Sequence, residues 1–199
     1  MYTRIMTRAR LEAFSDGVIA ILITIMVLEL RVPHGDDLRA LRPLIPIFLT
    51  YILSFIFLGI YWSNHHHMFH LVHRVNGKIL WANLHLLFWL SIVPFVTGWL
   101  GENEFAAMPT AVYGVVLLMA AIAYTILVMA IINEQGPQSE LRAAIGDDRK
   151  GKISMVLYAA AIPLAFVHHL LADAIYIAVA LLWLAPDRRI ESRLQSQKA

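Results

Sequence analysis

From Phe14 to Leu184 the chain is a succession of apolar runs, each about as long as a lipid bilayer is thick, separated by short polar breaks. A hydrocarbon core of about 30 Å takes roughly 20 apolar residues of helix. Within lipid every backbone polar group must find a partner inside its own segment, which favours helices over open strands. The runs are Phe14 to Leu30, Leu44 to Asn64, Ile79 to Leu100, Thr110 to Ile132 and Ile153 to Leu184. The last is too long for one crossing and suits two short ones, with His168, His169 and Asp173 where a tight connection would fall. Only 15% of residues are charged, against about a quarter in soluble domains, and the mean hydropathy is +0.66. So much apolar surface fits a chain whose outside faces lipid.

The expected architecture is therefore an all-α polytopic membrane protein. It is a single six-span domain over 1–199, with spans near 12–31, 44–70, 78–100, 110–132, 152–169 and 171–186 and short terminal tails. Basic residues collect on the cytoplasmic side of such proteins. Thirteen of the sixteen Lys and Arg fall on one side of this arrangement, leaving Arg31, Arg39 and Arg42 on the other. Both termini are thus expected in the cytoplasm, and the acidic Glu102/Glu104 loop outside. The first run ends in Glu29 and Arg31 without a small-residue cleavage site, so it reads as a retained helix and not a signal peptide. The chain has no cysteine, which excludes disulfides and thiolate metal sites.

The first helix carries the most pattern. At 100° per residue, Phe14, Gly17, Ile21, Thr24, Ile25 and Leu28 share one face, while Ser15 and Asp16 point the opposite way. A carboxylate in a membrane helix is costly unless it is paired or faces protein or water. One face is therefore an aliphatic stripe with a single hydroxyl, and the other is a polar anchor toward neighbouring helices.

The run Arg10-x-x-x-Phe14-Ser15-Asp16-Gly17 resembles the signature of the transmembrane-protein-175 family of potassium channels, whose bacterial members have six spans. Trp62-x-x-His65-His66, Trp81-x-Asn83, Pro94-Phe95 and the tail from Leu182-Trp183 to Glu191 match in order, so the resemblance covers nearly the whole chain. It implies a homotetramer in the cell (inner) membrane, with the first helices around a central pore. Ile21, Ile25 and Leu28 would form a hydrophobic constriction and Thr24 would favour potassium. Arg10, Phe14, Ser15, Asp16, Trp62, His65 or His66, and Asn83 would anchor the helix. The implied function is a potassium-permeable channel, modestly selective over sodium, with lipid and potassium ions as its partners and no resident cofactor.

Two other classes are weighed. His66, His70 and His73 lie at i, i+4 and i+7, and paired histidines can ligate haem or a metal in an electron carrier. At the end of a span they are more cheaply read as interfacial polar residues. A secondary transporter would show broken helices in an inverted repeat, and none is evident. No glycine loop for phosphate, nucleophile motif or metalloprotease helix appears, so neither an enzyme nor a nucleic-acid partner is expected. Glu29 and Arg31 are expected at the outer mouth.

Overall fold

The computed structural model describes residues 7–184, all of whose regular structure is helical. Its long helices are α1 (Arg8–Met26), α2 (Ile45–His70), α3 (Gly77–Glu102) and α4 (Ala107–Gln135). A short α5 (Glu140–Ile145) precedes the 36-residue α6 (Arg149–Leu184). Short 3-10 helices, Val27–Glu29 and Leu38–Leu44, flank the link between α1 and α2. Local chemistry sets the starts. The side chains of Thr7, Asp37, Asn76 and Ser139 accept backbone N–H groups at the openings of α1, the Leu38–Leu44 helix, α3 and α5. Gly136 (φ +78°) stops α4 in a backbone region that side-chain-bearing residues avoid.

Five of these elements are long and apolar enough to cross a membrane. The last of them contains two crossings. His168 has non-helical backbone angles (φ −156°, ψ 86°). Across it, the Trp183 indole N–H donates to Ser154 Oγ at 2.9 Å, and Tyr158 and Tyr176 lie 6.2 Å apart. In a straight helix residues 154 and 183 would stand about 44 Å apart. The element therefore folds back at His168 into two antiparallel arms, 149–167 and 169–184. The expected turn is displaced by a residue or two, and Asp173 is not part of it: Asp173 lies within the second arm, 8% exposed. The chain is a multi-pass membrane protein.

The interior is built on α3, α4 and the α6 hairpin, where small residues let helices approach closely. Ala111, Ala120 and Ala123 of α4 and Ala161, Ala165, Ala172 and Ala180 of α6 are buried. A Cβ on Gly114 would run into the Tyr176 hydroxyl, and one on Gly101 would sit 2.7 Å from Ile47 Cα. Polar side chains cross-link this interior. Thr97 Oγ1 donates to Ser54 Oγ (2.6 Å), Ser54 and Tyr113 share a 2.9 Å hydrogen bond, and Tyr176 donates to the Thr110 carbonyl (3.1 Å). The outside is apolar, with Phe48, Ile52, Phe88, Phe95, Met129, Phe166 and Leu181 among the exposed side chains.

The two ends differ in charge. At one, Arg31 pairs with Glu102 (2.6 Å). At the other, Arg8 donates to the His70 carbonyl (3.1 Å), Asn76 bonds Glu134, and Lys150 lies over the Trp183 ring. There too Asp147 accepts from Lys152 (3.1 Å) with Arg149 close by, and these cations hold its carboxyl below the ordinary range.

Candidate functional site on the first helix

Helix α1 lies at the edge of the bundle against α2 and α3, and its two faces differ sharply. Leu11, Ser15, Ile19, Leu22 and Met26 are buried. Phe14, Gly17, Ile21, Thr24, Ile25 and Leu28 are all exposed, Ile21 by 57% and Leu28 by 76%. The six residues that the wheel groups on one face form a continuous bare row. Leu28 stands on the 3-10 turn that extends the helix. The Thr24 hydroxyl donates to the Ile21 carbonyl at 2.9 Å, its proton directed along the helix. Thr24 itself is exposed on the open side.

The buried face is held by a row of hydrogen bonds. Ser15 Oγ donates to the Leu11 carbonyl (2.9 Å) and accepts from Asn83 Nδ2 (2.9 Å). Asn83 Oδ1, an acceptor only, lies 2.8 Å from His65 Nε2, so that nitrogen carries the proton. His65 is fully buried and stacked on Phe69, with ring centroids 4.3 Å apart. One step along, the Trp62 indole N–H donates to Asp16 Oδ1 (3.1 Å). One turn earlier, Glu12 Oε1 lies 3.1 Å from His66 Nδ1. The histidines thus divide: His65 meets Asn83, while His66 turns to Glu12.

The anchoring group expected from the sequence is only partly assembled. Ser15, Asp16, Trp62, His65 and Asn83 meet as described. Arg10 and Phe14 lie apart from them, both exposed, and Arg10 makes no side-chain hydrogen bond among the described residues. Phe14 belongs to the open row. Glu12 joins the polar row although the motif does not include it; its place one turn before Asp16 is the signal for it. The exposed Glu29 carboxylate lies over Gly98, where a Cβ would come within 3.2 Å of Oε2. Arg31 is engaged by Glu102.

Comparison with known proteins bears on this arrangement. The family described as "Endosomal/lysosomal potassium channel TMEM175" matches residues 10–94, which hold nearly all of α1, the whole of α2 and most of α3. A potassium channel of Chryseobacterium sp. (strain P1-3) is 55% identical over 190 residues, covering 96% of this chain and 99% of that one. A potassium channel of Streptomyces collinus (strain DSM 40733 / Tue 365) is 37% identical over 126 residues, 59% of this chain and 61% of that one. Among solved structures, the crystal structure of a lysosomal potassium-selective channel TMEM175 homolog from Chamaesiphon minutus superposes with a TM-score of 0.77. It is 30% identical, with 89% of this chain and 96% of that one covered.

Proposed function

The chain belongs to the TMEM175 family of potassium channels, and from that premise we propose that its first helix lines the conduction path of a homotetramer. It is a channel and not an enzyme, and nothing favours a His-ligated electron carrier or a secondary transporter. The observation that carries the proposal is the bare row of Phe14, Gly17, Ile21, Thr24, Ile25 and Leu28, opposite a face pinned by hydrogen bonds. A single copy of this helix cannot enclose a pore. Copies related by a closed rotation can, each contributing the same row.

In that ring Ile21, Ile25 and Leu28 give two turns of hydrophobic wall, about 10 Å long. Such a constriction empties of water when narrow and conducts when it relaxes. Thr24, between the first two rings, offers oxygen lone pairs to a partly dehydrated ion because its proton is given to Ile21. Weak oxygen ligands favour the cation that sheds water more cheaply, so potassium passes modestly better than sodium. By the distribution of basic residues the termini face the cytoplasm, and the membrane is the cell (inner) membrane. Glu29 then stands near the outer entrance, where its charge attracts cations. Lipid against the exposed side chains of the other helices and permeant potassium are its companions.

Ion flux from liposomes containing the purified protein, under potassium or sodium gradients, tests this directly. Potassium flux is expected to exceed sodium flux, and silence for both would sink the proposal. Ile21→Asn is expected to raise flux, since an amide ring wets the constriction; unchanged flux would remove Ile21 from the path. Thr24→Val is expected to leave conduction intact and lower the preference for potassium.

A further inference from the structure

Where α1 meets α2 at the Arg8 end of the bundle, three metal-ligating side chains converge outside the open row. Glu12 Oε1 lies 3.1 Å from His66 Nδ1, and His66 Nε2 lies 3.0 Å from His70 Nε2. One ligand atom from each of Glu12, His66 and His70 falls within 4.8 Å of the others. We propose that His66 and His70 bind a divalent transition-metal ion of the zinc class, with Glu12 fixing the His66 ring from behind.

The spacing is the first argument. Histidines at i and i+4 stand over one another on a helix, as in metal-binding helices generally. Zinc–nitrogen bonds of about 2.0–2.1 Å in tetrahedral geometry put neighbouring ligand nitrogens about 3.3 Å apart. The observed 3.0 Å is within a small ring rotation of that value.

The protonation pattern is the second. With the Glu12 carboxylate at Nδ1, His66 carries its proton there and presents a bare lone pair at Nε2. Ligating histidines are typically oriented in this way, by a carboxylate accepting from the other ring nitrogen. That lone pair is met by His70, whose Nε2–H it accepts. An imidazole-to-imidazole bond at an accessible site gains little over water, whereas a cation would satisfy both nitrogens once His70 moves its proton to Nδ1.

The surroundings favour the same ligand. The Trp62 ring stacks on His66 (6.0 Å, 20°), and the His66 and His70 rings meet edge to face (4.4 Å, 88°), so the pair is already oriented. Glu12 and nearby Asp16 supply negative charge, while the Arg8 guanidinium is engaged with the His70 carbonyl. The His66 side chain is 40% exposed, which leaves room for entry and for water in the remaining coordination positions. Two imidazoles select zinc, cobalt, nickel or copper over magnesium and calcium, which prefer oxygen. Because Glu12 is on α1 and the histidines are on α2, the bound ion would tie the two helices together.

The test reads binding alone, so its failure leaves the conduction proposal standing. Metal-stripped wild-type protein in detergent is titrated with zinc chloride by calorimetry, with magnesium chloride as the comparison. One saturable zinc site per chain is expected, none for magnesium, and zinc should raise the thermal unfolding temperature. Cobalt in place of zinc should give the visible absorption of a nitrogen-ligated site. His70 is exposed, so His70→Ala is expected to fold as wild type and weaken zinc binding at least about 100-fold. Glu12→Gln is expected to weaken it about 10- to 100-fold, as for other partners behind a ligand. His73→Ala should bind like wild type. No saturable zinc binding, or wild-type binding by His70→Ala, overturns the proposal.

Discussion

Helix α4 is buried around most of its circumference, whereas α1 is buried on one side and bare on the other. The two are also held differently. α4 meets α6 at Gly114, and its Ala120 and Ala123 are fully buried, so close approach and van der Waals packing secure it. α1 is secured by directed bonds through Ser15, Asp16 and Glu12 to α2 and α3. Lipid tails are as apolar as leucine, so aliphatic side chains alone give a membrane helix little reason to stay beside one neighbour. A helix that must keep one face clear cannot be wrapped like α4, and specific hydrogen bonds are the way to hold it from one side.

The difference can be broken at its strong end first. Gly114→Ala drives a methyl against the Tyr176 hydroxyl, which is buried and committed to Thr110. Overpacking of this kind costs about 2–3 kcal/mol, read as a lower unfolding temperature in detergent. Next, Asn83→Ala removes the bonds to Ser15 and His65 together. Hydrogen bonds between membrane helices are worth about 0.6 kcal/mol on average and about 1.7 at most. With the unpaired partners left behind, a loss of about 2 kcal/mol is expected in the same measurement. If Asn83→Ala unfolds like wild type, the polar row does not secure α1. Tyr113→Phe, which deletes one shared bond with Ser54, should cost about 1 kcal/mol. Smallest of all, Ile21→Asn should change the stability of the isolated protomer by less than about 0.5 kcal/mol, because the side chain is bare. A large loss there would mean that the open face packs within its own chain.

The division of α1 into faces is legible in its residues because helical periodicity is a local property. Ser15 and Asp16 at one angle and Ile21, Thr24, Ile25 and Leu28 at another fix which side each occupies once the helix forms. Partner choice is not local. Whether His65 or His66 meets Asn83 depends on where α3 lies and how α2 is rotated, and neither is written in the triplet His65–His67. Grouping Arg10 and Phe14 with Ser15 and Asp16 as anchors joins residues on different faces, since Arg10 and Phe14 are exposed while Ser15 and Asp16 meet Asn83 and Trp62. The buried link of Ser54, Thr97 and Tyr113 has no motif at all. Isolated hydroxyls on three different runs give no sign of one another until the helices are stacked. The count of six crossings is recoverable from length alone, because the mostly apolar run of 32 residues from Ile153 to Leu184 exceeds what one span can hold. Its turning point shifts slightly because a single residue, His168, suffices to reverse the chain.

That one-residue reversal bears on how the protein is made. Two arms with no loop between them leave almost nothing polar to be carried across during insertion, so they are expected to enter the bilayer as one unit. Asp173, an expensive residue to expose to lipid, can then be shielded against α4 from the moment the second arm enters. The arms also enter as a pair with basic residues on both flanks, Arg149 to Lys152 before and Arg188-Arg189 after. The same rule that retains positive charge in the cytoplasm is expected to favour both flanks of the hairpin on one side, so that the last two crossings would take their direction from the hairpin itself.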